Sequence, residues 1–250
     1  LGSTQQRRDW LLKRIDEDGK VLIERIADSL KVSPMTIRRD LKYLESTGKV
    51  IRIHGGAVST NSLVAETPYK NKESLQINQK KSIANKALSF VQQGQTIILD
   101  AGTTNLELAK LLKKRENITV ITNDIKIATE LVDCSLKVIV TGGELQQNVG
   151  TLYGPQTYNF IKDLHVDLLF LGAHAVDMEA GVTSPTLEKS LVKKLMIDAA
   201  ETSWLIADSS KLNQKAFSKV CDLSQVYGLL TDDDISVETK KRYSNVLKVL

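Results

Sequence analysis

The chain has 250 residues, of which 42% are apolar, 26% charged and 5% aromatic, an ordinary globular make-up with room for one large domain or two smaller ones. No apolar run approaches the roughly 18 residues of a membrane span, and the N-terminus lacks the basic-then-apolar order of a secretion signal. The formal excess of +4 is unevenly placed: residues 1–60 carry 12 Lys/Arg against 8 Asp/Glu, whereas residues 61–250 carry 22 against 22. Cys134 and Cys221 lie far apart and outside any metal-ligand spacing, so two reduced cysteines, no metal, no cofactor and a cytoplasmic protein are expected.

Three helical patterns come first. Leu11, Leu12 and Ile15 form a short apolar stripe that ends near Asp18-Gly19. Leu22, Ile23, Ile26, Ala27 and Leu30 form a second at helical spacing. After Lys31-Val32 the run SPMTIRRDLKYLESTG predicts a third, with Ser33 as N-cap, Pro34 at the first helical position and Gly48-Lys49 as the stop. At about 100° per residue, Ile37, Leu41 and Leu44 fall on one face and point to a core. Met35, Thr36, Arg39, Lys42, Tyr43 and Ser46 fall opposite, with Arg38 on the flank. Asp40 lies beside the apolar stripe, where it can pair within the domain. A cationic outward face without an acid suits a helix entering the major groove N-terminus first.

The following KVIRIHGGAV is β-branched and ends at Gly55-Gly56, so a short strand or hairpin is predicted, with Lys49, Arg52 and His54 projecting as a basic wing. VSPMTIRRDLKYLESTGKVIRIHGGA resembles the N-terminal signature of the DeoR family of bacterial repressors of sugar metabolism, and the likeness spans about Gln6 to Ala57. The resemblance implies a winged helix-turn-helix over residues 4–59, its helix-turn-helix at about 21–40, with Ser33 among the DNA-binding residues. Leu22 departs from the pattern, since these proteins often start the second helix with Ser or Thr.

Residues 60–79 are polar and contain Pro68, and are read as an exposed linker to a domain over 80–250. There, strand and helix patterns alternate: SIANKALSFV, TIIL, TNLELAKLLKK, ITVIT, DIKIATELV, KVIVT, DLLFLG, LEKSLVKKLMIDAA, SWLIA, VYGLLT and NVLKVL. That order predicts an α/β domain with a mostly parallel sheet, whose ligands bind at the carboxyl ends of strands. Asp100-Ala101-Gly102-Thr103-Thr104 follows one strand and opens a helix, which suits a phosphate but equally suits a plain glycine turn with a threonine cap. Thr122-Asn123, Thr141-Gly142-Gly143, Gly172-Ala173-His174 and Asp208-Ser209-Ser210-Lys211 end other strands. Small polar loops and a cation converging at one sheet edge point to a phosphorylated, polyhydroxylated ligand.

These loops, with GVTSPTLEK, also resemble the effector half of the DeoR family, which is similar to ribose-5-phosphate isomerase and glucosamine-6-phosphate deaminase and usually binds a phosphorylated sugar. By that resemblance Asp100, Gly102, Thr103 and Thr104 hold the phosphate, while Asn123, Gly142, Gly143, Gly172, His174, Glu188 and Lys211 line the sugar site. Ala175 stands where the family commonly has glycine, and His174 replaces a carboxylate of many relatives. The expected protein is a homo-oligomeric repressor that binds a double-stranded operator and answers to a sugar phosphate. The alternative, an isomerase or deaminase with a DNA-binding arm, needs paired acids that GAHAVD lacks, since Asp177 stands there alone.

Overall fold

The computed structural model describes residues 3–53, 55–59, 63, 66 and 68–250, and the chain divides into two compact units, Leu1–Leu75 and Gln76–Leu250. In the first unit, α1 (Thr4–Asp18) opens on a capping box between Ser3 and Gln6 and stops at Gly19, whose φ of 71° suits a residue without a Cβ. A strand that the helical pattern did not foresee, β1 (Lys20–Leu22), precedes α2 (Ile23–Leu30). Leu22 thus ends a strand instead of joining the second helix, and as N-cap of α2 it supplies no side-chain hydrogen bond. α3 (Pro34–Ser46) is followed by the antiparallel pair β2 (Val50–Ile53) and β3 (Gly56–Ser59), and the sheet order is β1-β3-β2.

Leu11, Ile15, Ile26, Ala27, Ile37, Leu41, Leu44 and Val50 form one buried cluster in this unit. Full burial of each larger aliphatic side chain contributes about 1.5–3 kcal/mol, so the stripe on α3 is what holds that helix against α1 and α2. The glycine pair works as two separate devices. Gly55 makes the turn at φ 75°, whereas Gly56 lies in β3 so close to β1 that a Cβ would stand 2.0 Å from the Val21 carbonyl oxygen. The predicted linker is partly structured: α4 (Tyr69–Ser74) lies in it, Tyr69 is buried, and the next helix begins at Ile77. One aromatic and a local helical pattern outweighed the polar composition.

The second unit contains α5 (Ile77–Leu88), β4 (Thr96–Leu99), α6 (Thr103–Leu112), β5 (Thr119–Thr122), α7 (Ile125–Glu130) and β6 (Lys137–Val140). Next come a small antiparallel pair, β7 (Glu144–Leu145) and β8 (Leu152–Tyr153), then α8 (Pro155–Lys162) and β9 (Val166–Gly172). The remainder comprises β10 (Ala175–Asp177), β11 (Gly181–Ser184), α9 (Leu187–Ala199), β12 (Ala200–Ile206), β13 (Ser218–Cys221), β14 (Gly228–Leu230), α10 (Val237–Ser244) and β15 (Lys248–Val249). Seven strands form one sheet in the order β15-β14-β12-β9-β4-β5-β6, and every neighbouring pair is parallel. Ile97, Ile98, Leu99, Leu169, Phe170 and Leu171 are fully buried, as expected of central strands covered on both faces.

The chain runs outward from β4 through β5 to β6, then returns to place β9 on the other side of β4. The order therefore reverses between β4 and β9, the place at which open α/β sheets bind ligands at the carboxyl ends of their strands. A separate three-stranded antiparallel sheet, β10-β11-β13, lies outside this frame.

Candidate functional site

The first site is the outward face of α3. Ser33 Oγ accepts the Thr36 N–H at 3.2 Å and lies 3.0 Å from Thr36 Oγ1, so both hydroxyls serve the cap. At the other end the Gly48 N–H reaches the Glu45 carbonyl at 2.9 Å and the Lys49 N–H reaches the Leu44 carbonyl at 2.9 Å, which closes the helix through a left-handed glycine. Between these stops Met35, Arg38, Arg39, Lys42, Tyr43 and Ser46 are exposed, and Thr36 is half-buried. Arg38 pairs with Glu24 at 3.3 Å on the surface, a contact worth little in water.

Asp40 is only 1% exposed, and its oxygens accept from Arg7 Nε at 2.5 Å and Arg8 Nε at 3.1 Å. Its charge is therefore neutralised from α1, and the outward face of α3 keeps its positive sign. The Arg8 guanidinium also lies over Tyr43, 3.6 Å from the ring centroid. Neither arginine was singled out from the sequence, although a buried aspartate beside an apolar stripe calls for a counter-charge. In the hairpin Lys49 is exposed, but Arg52 is turned back: its Nε donates to the Gly56 carbonyl at 3.1 Å and Nη1 to the Arg38 carbonyl at 3.5 Å. The expected projecting arginine instead donates to one backbone oxygen of the hairpin and one of α3, tying the two together. His54 lies outside the described residues.

The second candidate site is the cluster of loops at the carboxyl ends of the parallel strands. Asp100 is 1% exposed, pairs with Lys193 Nζ, and accepts the Gly172 N–H at 2.9 Å. Lys193 also donates to the Gly172 carbonyl at 2.8 Å, so one ion pair ties the ends of β4 and β9 together at the point where the strand order reverses. Asn123 is likewise spent inside, accepting the Ala101 N–H at 3.0 Å and donating to the Leu152 carbonyl at 3.3 Å. Asp100 and Asn123, expected at the phosphate and the sugar, thus each have internal partners that tie neighbouring loops together. A buried carboxylate repels phosphate, and a 1% exposed amide with one donor and one acceptor already engaged has little reach toward a ligand.

Around this frame the other residues differ in exposure. Gly102 caps α6, its own N–H donating to Asp124 Oδ2 at 3.0 Å, and Thr103 and Thr104 open the helix, whose first N–H groups have no partner within it. Thr103 is buried and Thr104 is half-buried. Gly142 and Gly143 are exposed, and the loop is held by Thr157 Oγ1 donating to the Gly142 carbonyl at 2.6 Å. A side chain on Gly143 would meet the Tyr153 carbonyl oxygen at 2.4 Å, so glycine there is a packing requirement. Gly172, His174 and Lys211 are half-buried at the ends of β9 and β12. Glu188 is exposed in the first turn of α9. Burial first, then the Glu144 and Glu188 carboxylates, push the Tyr153 hydroxyl up from its ordinary value, which puts Glu188 in electrostatic reach of the Gly143 loop.

Asp124, missed from the sequence, lies at these loops with its carboxyl pushed up to about 6. Burial raises it, the N–H groups of Lys126, Gly102 and Ile127 pull it down, and the Asp100 charge adds to the rise. Lys193 and Asp124 share a reason for having been missed: each sits on a helix whose pattern explains it without reference to the loop it serves. Among the described residues no group of three or more His, Cys, Asp or Glu is placed to hold a metal, and no helix is long and apolar enough to cross a membrane.

Residues 7–63 match the DeoR-like helix-turn-helix domain and residues 75–233 match the DeoR C terminal sensor domain. The chain is 36% identical over 226 residues to the HTH-type transcriptional regulator GlpR of Haloferax volcanii, covering 90% of this chain and 88% of that protein. It is 30% identical over 228 residues to the glycerol-3-phosphate regulon repressor of Escherichia coli K12, covering 91% and 90%. Among solved structures, ribose 5-phosphate isomerase A from Methanocaldococcus jannaschii aligns with a TM-score of 0.41 at 17% identity over 54% of each chain. Both halves of the sequence, each with its own domain match, place this chain in the DeoR family of DNA-binding transcriptional regulators.

Proposed function

We propose that the chain is a repressor of a sugar-metabolism transcription unit that binds its operator as a homo-oligomer, at least a dimer, and is modulated by a phosphorylated sugar. The observation that carries the reading is the division of charge on α3: Arg39 and Lys42 are exposed, while the helix's aspartate is buried against Arg7 and Arg8. The name of the Escherichia coli relative, a glycerol-3-phosphate regulon repressor, supports the effector class. Met35, Thr36, Arg39 and Lys42 read base edges, whereas Arg38 and Lys49 grip the backbone.

The effector phosphate sits at the N-terminus of α6, against Thr103 and Thr104 beside Gly102, whose own N–H is held by Asp124, and the first N–H groups of the helix and its dipole favour an anion there. Gly142, Gly143, Gly172, His174, Glu188 and Lys211 surround the sugar. Asp100, Lys193 and Asn123 hold these loops in place without touching the ligand. The effector acts by binding more tightly to one of two arrangements of the oligomer, and its differential affinity sets how far the DNA-binding equilibrium moves.

Two measurements test this. A thermal-shift screen against phosphorylated pentoses, hexoses, hexosamines and glycerol phosphate is expected to stabilise the chain with at least one compound. A flat response across the panel, with DNA binding intact, overturns the effector half. On an operator selected from a randomised duplex library, Arg39→Ala is expected to cost about 1–3 kcal/mol of specific binding at fixed salt. Unchanged affinity overturns the orientation given to α3.

A further inference from the structure

Helix α1 lies outside the pair of helices that the sequence pattern assigns to DNA, yet it carries a cation onto their surface. Arg7 and Arg8 both reach Asp40, but only Arg8 continues to the outward face of α3, where its guanidinium is stacked on Tyr43. Tyr43 is 45% exposed and shares that face with Arg39 and Lys42. The Arg8 Nε is spent on Asp40 and the guanidinium plane on the ring. Its two terminal nitrogens have no hydrogen-bond partner among the described residues, and the side chain retains 18% exposure.

A guanidinium cannot shed its charge, and its outer edge presents paired donors in one plane, the geometry that fits two phosphate oxygens. Stacking on Tyr43 and pairing with Asp40 remove most of the rotamer freedom that a long side chain otherwise loses on binding. Asp40 does not cancel the attraction, because Arg7 supplies it with a second cation. We infer that Arg8 is a DNA-backbone clamp: seated on Tyr43 and pinned by Asp40, it binds a phosphate at the edge of the groove that α3 enters. The inference rests on α3 being the DNA-reading helix.

The test uses the full chain, with affinity for a mixed-sequence duplex and for the selected operator measured by fluorescence anisotropy across a salt series. Arg8→Gln keeps a side-chain amide that can donate to Asp40 but has no charge. Arg8→Met, which keeps the stem over the ring, is a second neutral variant should the first not fold. Loss of one phosphate contact lowers the slope of log K against log salt by about 0.9 per bound protomer. That decrease, on both duplexes and with wild-type thermal unfolding, is the expected result. An unchanged slope in a folded neutral variant makes Arg8 a strut between α1 and α3 and overturns the clamp. Arg39→Ala separates this failure from that of the underlying reading. If only Arg8→Gln is silent, the clamp alone falls, whereas silence of both removes the DNA-reading face itself.

Discussion

Replacing Lys193 by Met leaves the Asp100 carboxylate 1% exposed with no counter-charge and only the Gly172 N–H to satisfy it. Removing one partner of such a pair costs about 3–5 kcal/mol, because the remaining charge keeps its desolvation penalty after losing its attraction. Set against a typical total of about 5–15 kcal/mol, that is a large share of the stability of the C-terminal unit. With a urea slope of about 2 kcal/mol per molar, the midpoint falls by about 1.5–2.5 M. Trp204 is 1% exposed and packs 4.4 Å from Phe90, so in a Trp10→Phe background its fluorescence follows this unit alone. The double variant Asp100→Asn/Lys193→Met removes both charges while an amide oxygen still accepts the Gly172 N–H, and is expected to regain at least half the loss. A Lys193→Met midpoint within 0.5 M (about 1 kcal/mol) of the parent refutes the reasoning. So does a double variant no better than the single one, since the cost then lies in packing.

Two further predictions concern groups that hold the sites in place. Asp124 is raised from 3.8 to about 6, so the folded state holds its proton more tightly than the unfolded chain does. Its stabilising contribution is complete below pH 3.8 and is lost as pH rises through about 6, a swing of about 3 kcal/mol. Relative to the parent, Asp124→Asn should therefore gain stability in urea titrations between pH 4 and pH 7.5, and a difference that does not vary with pH rules this out. In the hairpin, Gly56→Ala sets a Cβ 2.0 Å from a backbone oxygen of β1 and should cost about 3 kcal/mol or more in a Trp10-monitored melt. Gly55→Ala has open space around it and suffers only from its φ of 75°, a cost of about 1–2 kcal/mol. Equal effects at the two positions contradict the account of the turn.

What the sequence by itself determined is what depends on neighbours a few residues away. The N-cap at Ser33, the stop at Gly48, the buried face of Ile37, Leu41 and Leu44 and the outward face of Arg39 and Lys42 all follow from spacing along one helix. The buried apolar strands β4, β5 and β9 and the small polar loops after them were legible for the same reason. Short elements with weak patterns, such as β1, the β7-β8 pair and the β10-β11-β13 sheet, were not, because two to four residues carry little periodicity. Only the tertiary structure decided which polar residues remain for ligands. Asp100 meets a lysine 93 residues away, Asn123 meets a loop 22 residues before it, and Asp40 meets Arg8 32 residues before it. A carboxylate or amide in a glycine-rich loop looks the same in sequence whether it faces a ligand or a buried partner. Desolvation separates the two cases, because a buried polar group must be satisfied within the fold, and what it spends there it cannot give to a ligand.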